Sequence, residues 1–288
     1  MSVHVPLVPR LARNCVVAAL LLFSPLPAAV ALGATLTLED GRDRLTFDTA
    51  ALLARPDAAE IEIPADVAYH VPRRYRAVPL AALLASLSAP PDSALEAAAT
   101  DGFAAHIPLS LALGTAPGAA RAWLAIEPAD ARWPPLPNKQ ASAGPFYIVW
   151  EHAEASRISP AYWPYQLAAL RYVPAPAARW PQITVDPSLP ADHLARAGQE
   201  VFAAICLACH RINGGGSSET GPDLNLPMNP TEYFRPAALR RYLRDPASVR
   251  TWPDQKMPGF GPEQLSEADL DAVIAYLEHM AERRGRAR

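Results

Sequence analysis

Cysteine and lysine are both scarce in this chain of 288 residues. There are three cysteines, at positions 15, 206 and 209, and two lysines, at positions 139 and 256. Such a low cysteine count excludes the disulfide framework that stabilises many small secreted proteins. It also excludes a zinc site made of four cysteines.

Long apolar runs are missing as well. The run at residues 16–23 follows Arg10 and Arg13 and precedes a small-residue site at residues 29–31. This order is typical of a secretory signal peptide, so residues 1–31 are predicted to be removed by cleavage near Ala31. The alternative is an anchor helix, which needs about 20 apolar residues. The mature protein is therefore predicted to be periplasmic, with no stable membrane span.

Blocks of basic residues and familiar catalytic motifs are also lacking. The formal net charge is −3, and only the short tail at residues 283–286 is strongly basic, so nucleic acid is not an expected partner. No Gly-x-Ser-x-Gly or His-Glu-x-x-His pattern occurs. His70, His106 and His152 are isolated and are interpreted as structural or surface residues. No catalytic residue is therefore assigned.

Two of the cysteines lie three positions apart and are followed at once by a histidine. Cys206, Cys209 and His210 form the pattern Cys-x-x-Cys-His, which is the attachment signature of c-type haem. In such a site both sulfurs bond to the porphyrin, and the histidine binds the iron. The alternatives are a redox dithiol, which expects a preceding strand, and half of a zinc site, which needs further ligands.

Helical periodicity surrounds this motif. Apolar and small residues at three- and four-residue spacing predict a helix over residues 190–205 that ends at the motif. A second helix is predicted over residues 236–243, ending before an Asp-Pro pair. Ser266 and Asp269 form a capping pair ahead of a C-terminal helix. The second half of the chain is thus predicted to be all-α.

In this order, the features resemble the class I cytochrome c family. Gly198 and Phe202 stand where the first helix of that family meets the last, and Tyr276 with Leu277 matches the aromatic-leucine pair of the last helix. The resemblance covers about residues 190–280 and implies the all-α cytochrome c fold.

The resemblance also implies the iron ligands. Pro222 lies in a Gly-Pro-x-Leu turn, in which the proline carbonyl of that family accepts a hydrogen bond from the proximal histidine. Met257, followed by proline, matches the distal ligand. Met228 is the rival, but it follows the motif too closely for the chain to wrap round to the opposite haem face. The implied cofactor is one covalent haem c, held by Cys206, Cys209, His210 and Met257.

Histidine and methionine at the two axial positions imply one-electron transfer, not oxygen activation. The implied partners are periplasmic redox proteins: a dehydrogenase as donor and a cytochrome or oxidase as acceptor. Four arginines lie on or beside the predicted helix at 236–243, namely Arg235, Arg240, Arg241 and Arg244. They form either a solvated face or a docking surface for an acidic partner. Residues 214–218, with three glycines and two serines, are predicted to be a flexible loop at the haem edge. His279 is expected to be exposed, and Trp252 either contacts a haem propionate or lies in the core.

The first half, residues 32–173, is predicted to be a mixed sheet with short helices, an α+β or mainly-β domain. Alternating residues on either side of Asp40-Gly41 predict a hairpin. Further strands are expected at residues 61–63, 104–107, 122–126, 146–150 and 168–173, and helices at residues 49–53 and 80–87.

Several of these segments resemble the molybdopterin-binding domain of the sulfite-oxidase family, namely residues 76–84, 101–109 and 144–150. In that family a cysteine thiolate binds the molybdenum, whereas this chain has no cysteine between Cys15 and Cys206. Molybdopterin is therefore not an expected cofactor, and the domain is expected to keep the fold without the metal. The alternative is molybdenum held by the pterin alone or by another side chain.

Three functions are compatible with this organisation. The first is an exported electron-transfer protein, in which a proline-rich linker at residues 174–189 joins a cofactor-free docking domain to the cytochrome c domain at residues 190–288. The second is a haem-linked dehydrogenase whose first domain oxidises a small substrate. The missing cysteine favours the first. A haem-based sensor, the third hypothesis, requires an open or labile axial site.

Overall fold

The computed structural model describes residue 1, residues 34–252, residue 255 and residues 257–285. The predicted cleavage site and all but the first residue of the predicted signal peptide lie outside the described residues. Within the described part, no helix has both the length and the apolar character needed to cross a membrane.

Residues 35–174, the sheet region, form two β-sheets. The strands are β1 (Thr35–Glu39), β2 (Arg44–Asp48), β3 (Ala59–Ile63), β4 (Arg73–Pro79), β5 (Ser93–Ala99), β6 (Ala104–Pro108), β7 (Arg121–Ile126), β8 (Phe146–Glu151) and β9 (Leu167–Pro174). One sheet has the order β2-β1-β9-β5-β6 and the other β3-β4-β7-β8. All pairings are antiparallel except β1 with β9. The predicted mixed sheet is confirmed.

Local sequence explains the first hairpin. The Asp40 carboxylate accepts hydrogen bonds from the backbone N–H groups of Arg42 at 2.9 Å and Asp43 at 2.8 Å. Gly41 has φ +87°, a left-handed conformation that glycine adopts without steric cost. The turn predicted at these residues therefore joins β1 to β2, and helix α1 (Thr49–Leu53) follows as predicted.

The sequence did not predict strands β4 and β5. The first begins with two arginines, and the second is rich in alanine, which has low strand propensity. Strand β5 is nevertheless central, because it pairs with β9 on one side and β6 on the other. Helix α2 (Leu80–Leu84) is also shorter than the predicted 80–87, and α3 (Leu109–Ala112) was not predicted.

The helical region follows the sheets. Its elements are α4 (Pro176–Arg179), α5 (Leu194–Val201), a π-helical turn (Phe202–Cys206), α6 (Pro230–Tyr233), α7 (Pro236–Arg244) and α8 (Glu267–Ala281). The first predicted helix begins at Leu194, not at residue 190, because the His193 ring caps it by accepting the N–H of Ala195 at 3.2 Å. At α8, Ser266 is the N-cap and accepts the N–H of Asp269 at 3.1 Å, as predicted.

Helices α5 and α8 cross at Gly198. A Cβ atom at this position would lie 1.9 Å from the carbonyl oxygen of Ala272 and 2.6 Å from Cβ of Tyr276, so only glycine fits. The rings of Phe202 and Tyr276 pack beside the crossing with centroids 5.2 Å apart. The residues that carried the cytochrome c resemblance are thus brought together in one contact.

The proline-rich residues 174–189 pack against the helices. The helices enclose a hydrophobic core of their own, called here the second core, and Ile183 and Val185 are buried in it. The carbonyl oxygen of Ile183 also accepts a 2.6 Å hydrogen bond from the Tyr276 hydroxyl. The described residues between 34 and 285 accordingly group as one compact unit. The segment predicted to be a linker is therefore part of the packed structure, and the division at 173 and 190 stays a prediction.

Candidate haem site

The π-helical turn after α5 ends at Cys206, and a tight bend at residues 206–210 carries both cysteines and His210. The carbonyl oxygen of Cys206 accepts hydrogen bonds from the N–H groups of Cys209 at 3.0 Å and His210 at 2.8 Å. Both cysteines are half-buried free thiols. Two sulfurs and an imidazole therefore project from five consecutive residues.

The electrostatics of these cysteines disfavour thiolates. Burial, with a smaller contribution from Cys209, raises the pKa of Cys206 to about 12, while burial and Asp101 raise the pKa of Cys209 to about 11. A redox dithiol needs a lowered thiol pKa, so two buried thiols with raised pKa values do not suit that alternative. The zinc alternative needs further ligands beside the cysteines. In residues 34–252, 255 and 257–285, no three side chains of His, Cys, Asp and Glu converge as a metal-binding group. A thioether sulfur is uncharged and suits this environment.

The His210 ring is held in one orientation. Its Nδ1 donates a 2.8 Å hydrogen bond to the carbonyl oxygen of Pro222, which leaves Nε2 with a free lone pair for a metal. Burial lowers the pKa of His210, so the neutral ring is favoured. A Cβ at Gly221 would lie 2.7 Å from both Nδ1 and Cε1 of His210. The glycine therefore allows the turn to approach the imidazole.

The turn that carries Pro222 is itself anchored. The Asp223 carboxylate accepts the N–H groups of Asn213 at 3.2 Å, Gly214 at 2.7 Å and Asn225 at 2.8 Å. The buried Asn225 amide then donates to the carbonyl oxygen of Met280 at 2.6 Å, and so ties this turn to the end of α8. Sequence reasoning missed this network, because no local pattern marks a buried asparagine.

Met257 and Met228 have different surroundings. Met257 is half-buried against the second core, whereas the side chain of Met228 is 50% exposed. The segment after Met257 is fixed to the end of α7, since the N–H of Phe260 donates to Leu243 O at 3.0 Å and Arg244 donates to Phe260 O at 2.9 Å. The structure therefore places Met257 against the core and leaves the side chain of Met228 largely in solvent.

Two of the four arginines on or beside α7 form ion pairs: Arg240 pairs with Glu267 and Asp271, and Arg244 pairs with Glu267. Two other interpretations are corrected. Trp252 is 40% exposed beneath the guanidinium of Arg250 and does not lie in the core. His279 is half-buried, because its Nε2 accepts the N–H of Asp186 at 3.0 Å.

The loop at residues 214–218 contacts the sheet region and was not predicted to do so. Ser217 donates to Glu96 Oε2 at 3.3 Å, and Ser218 donates to the carbonyl oxygen of Gly102 at 3.2 Å. The N–H of Ala104 donates to Ala208 O at 3.2 Å, between the two attachment cysteines. These partners lie more than 100 residues apart in sequence, so no motif signals them.

Glu96 is the centre of this contact. It is buried and receives hydrogen bonds from His106 at 3.2 Å, Arg171 at 3.2 Å and Arg179 at 2.6 Å. Burial raises the pKa of Glu96, but the hydrogen bonds from His106 and Arg179 dominate and lower it to about 2. The carboxylate is therefore charged at neutral pH and joins β5, β6, β9 and α4 to the Ser217 loop.

The donor set fits a covalently attached haem. Two uncharged sulfurs three residues apart, a fixed imidazole with free Nε2 and a half-buried thioether are the groups that such a cofactor requires. His70, His106 and His152 are not part of this set; His70 and His152 have left-handed backbone conformations, and His106 contacts Glu96.

Comparison with known proteins agrees with this geometry. Residues 195–281 match the family model for cytochrome c, whereas no curated protein matches the chain. The matched segment contains α6, α7, α8 and all of α5 but its first residue, together with Cys206, Cys209, His210 and Met257. Residues 195–281 are therefore a cytochrome c domain, a module that binds haem covalently and transfers electrons, and the same chain carries the two-sheet region before it.

Proposed function

We propose that this protein is an exported electron carrier with one haem c, exchanging single electrons between periplasmic redox proteins. The observation that carries the proposal is the 2.8 Å hydrogen bond between His210 Nδ1 and Pro222 O, directly after two free thiols on one turn. This arrangement fixes the tautomer that exposes Nε2 as a metal ligand.

Each residue of the site then has a defined task. Cys206 and Cys209 would hold the haem covalently, and His210 and Met257 would supply a nitrogen and a sulfur ligand to its iron. The bound haem supplies reversible one-electron chemistry. The Pro222 carbonyl orients the His210 ring and increases its basicity. Met257 offers a soft, uncharged sulfur, which favours the reduced iron more than a second histidine does.

The sheet region is proposed to act as a cofactor-free docking domain, derived from the sulfite-oxidase fold. Its described strands pack a continuous apolar core, and it contains no cysteine. The thiolate that binds molybdenum in that family therefore has no counterpart here. The alternative is a haem-linked molybdenum dehydrogenase, in which this region oxidises a small substrate.

Metal content separates these proposals. The chain is produced in a host that matures both c-type haem and molybdenum cofactor, and iron and molybdenum are counted per chain. One iron without molybdenum supports the carrier, and both metals together support the dehydrogenase. A chain without iron contradicts both. Haem that remains on the polypeptide after denaturation verifies covalent attachment, and a Cys206→Ser and Cys209→Ser double variant is the matched control.

Export is tested separately. Osmotic release is expected to yield the haem-containing chain in the periplasmic fraction, and its intact mass is expected to correspond to a chain that begins close after Ala31. A haem-containing chain that keeps residues 1–31 contradicts the cleavage.

A further inference from the structure

The hairpin of strands β5 and β6 lies against the haem-attachment segment. Two anchors lie in or directly after its turn, residues 100–103: Gly102 O accepts the Ser218 hydroxyl at 3.2 Å, and the N–H of Ala104 donates to Ala208 O at 3.2 Å. A third anchor, between Ser217 and Glu96 at 3.3 Å, lies within β5. The hairpin tip is thus fixed on both sides beside the attachment cysteines.

Asp101 is the charged residue at this tip. Its Oδ1 accepts the N–H of Phe103 at 3.1 Å, which fixes the carboxylate within the turn. Asp101 is exposed to solvent, and it directly precedes Gly102, which contacts Ser218, while Ala104 contacts Ala208, the residue before Cys209. A negative charge from the sheet region is therefore held beside one of the two points where the porphyrin attaches.

We propose that Asp101 lowers the reduction potential of the haem attached at Cys209. The inference rests on the proposed function, because it requires the covalent haem. The oxidised haem carries one more positive charge than the reduced haem, and a fixed carboxylate stabilises the more positive state. The sheet region in this way belongs to the electrostatic environment of the redox centre.

The test is an optical redox titration of the holoprotein and of its Asp101→Asn variant. Asparagine keeps the oxygen that accepts the Phe103 N–H and removes only the charge. The reduction potential is expected to rise in the variant. The difference is expected to shrink as ionic strength increases, because the carboxylate is exposed and salt screens it over about 8 Å at 0.15 M.

Two variants separate the charge from other effects. Asp92→Asn makes the same charge change just before β5, separated from the tip by the seven-residue strand, or about 23 Å. Asparagine tolerates the left-handed backbone of Asp92, φ +56°, so this variant is expected to leave the potential unchanged. Asp101→Glu keeps the charge and is expected to retain the wild-type potential.

The outcomes are distinct. A shift in Asp101→Asn no larger than in Asp92→Asn overturns the proposal, as does an equal shift in Asp101→Glu, which would indicate a disturbed turn. Covalent haem is verified first on a denaturing gel. Its absence from the wild-type protein refutes the proposed function, whereas normal haem with an unchanged potential refutes only the role of Asp101.

Discussion

The backbone N–H of Ala104, at the start of strand β6, donates a 3.2 Å hydrogen bond to the carbonyl oxygen of Ala208, between the two attachment cysteines. Ser159 adds a second link, because its hydroxyl donates to Ala204 O at 2.9 Å in the π-helical turn. The sheet region therefore touches the segment that attaches haem, and is not joined to it through residues 174–189 alone.

Replacement of Met257 by alanine is expected to lower the reduction potential, because the axial thioether is lost. Axial ligands set the potentials of haem proteins over a range of roughly 0.8 V, so the shift should clearly exceed that of the control variant. The Met228→Ala variant is the control, and its 50% exposed side chain predicts no change. Potentials are measured by optical titration. A shift in Met228→Ala alone would reassign the ligand.

Replacement of Gly221 by alanine is expected to displace the His210 ring. The added Cβ would lie 2.7 Å from Nδ1, which weakens the bond to Pro222 O and destabilises the fold by about 1–3 kcal/mol. Absorption spectra of both oxidation states and the unfolding midpoint are compared with wild type. Wild-type values of both in the variant would show that the turn relaxes without moving the ring.

Replacement of Gly198 by alanine is expected to separate α5 from α8. A Cβ only 1.9 Å from Ala272 O cannot be accommodated without moving a helix, so a loss of about 3 kcal/mol or more in the free energy of unfolding is expected. Ala197→Ser, at the exposed neighbouring position, should change this free energy by less than about 0.5 kcal/mol. Denaturant unfolding followed by circular dichroism measures both. Equal effects at the two positions would contradict the crossing.

Replacement of Glu96 by glutamine is expected to loosen the contact between the sheets and the Ser217 loop. The carboxylate neutralises two partly buried arginines, and breaking such a pair costs about 3 kcal/mol, reduced here because the arginines are roughly one-third exposed. Glu62→Gln removes the exposed pair with Arg74 and should cost less than about 1 kcal/mol. Hydrogen exchange at residues 207–218 should rise only in Glu96→Gln.

Acid is expected to weaken the contact between residues 183–193 and α8. Burial and then Arg283 and His193 lower the folded-state pKa of His279, whose Nε2 must be unprotonated to accept the Asp186 N–H. The unfolded chain binds the proton at an ordinary pKa of about 6.5. This contribution to stability is therefore present above that pH and is lost as the pH falls towards the lowered folded-state pKa.

The His279→Gln variant isolates this effect, because its amide oxygen accepts the same N–H without titrating. Unfolding midpoints of wild type and variant are compared between pH 7.5 and 5. The wild type should lose more stability over this range than the variant. Parallel curves would assign the acid sensitivity to other groups.

Sequence patterns predicted the structure correctly wherever a few neighbouring residues determine it. The turn at Asp40-Gly41, the Ser266 cap of α8 and α7 were predicted because their hydrogen bonds lie within a few residues. Strand β5 was missed because its alanines carry little strand propensity, and pairing with two neighbouring strands decides its conformation. The prediction that His279 is exposed was wrong for a similar reason, since its partner Asp186 lies 93 residues away.

The sequence by itself determined the chemistry of this protein. The Cys-x-x-Cys-His motif of Cys206, Cys209 and His210 can be recognised from five consecutive residues, so it needs no tertiary structure. Gly198 and Tyr276 likewise indicated the contact between the first and last helices. Only the tertiary structure decided what surrounds that chemistry: the anchoring of the hairpin tip beside Cys209 and the burial of Glu96 beneath Ser217. The physical reason is that these contacts join backbone and side-chain groups more than 100 residues apart, and their partners are set by how the sheets and helices pack.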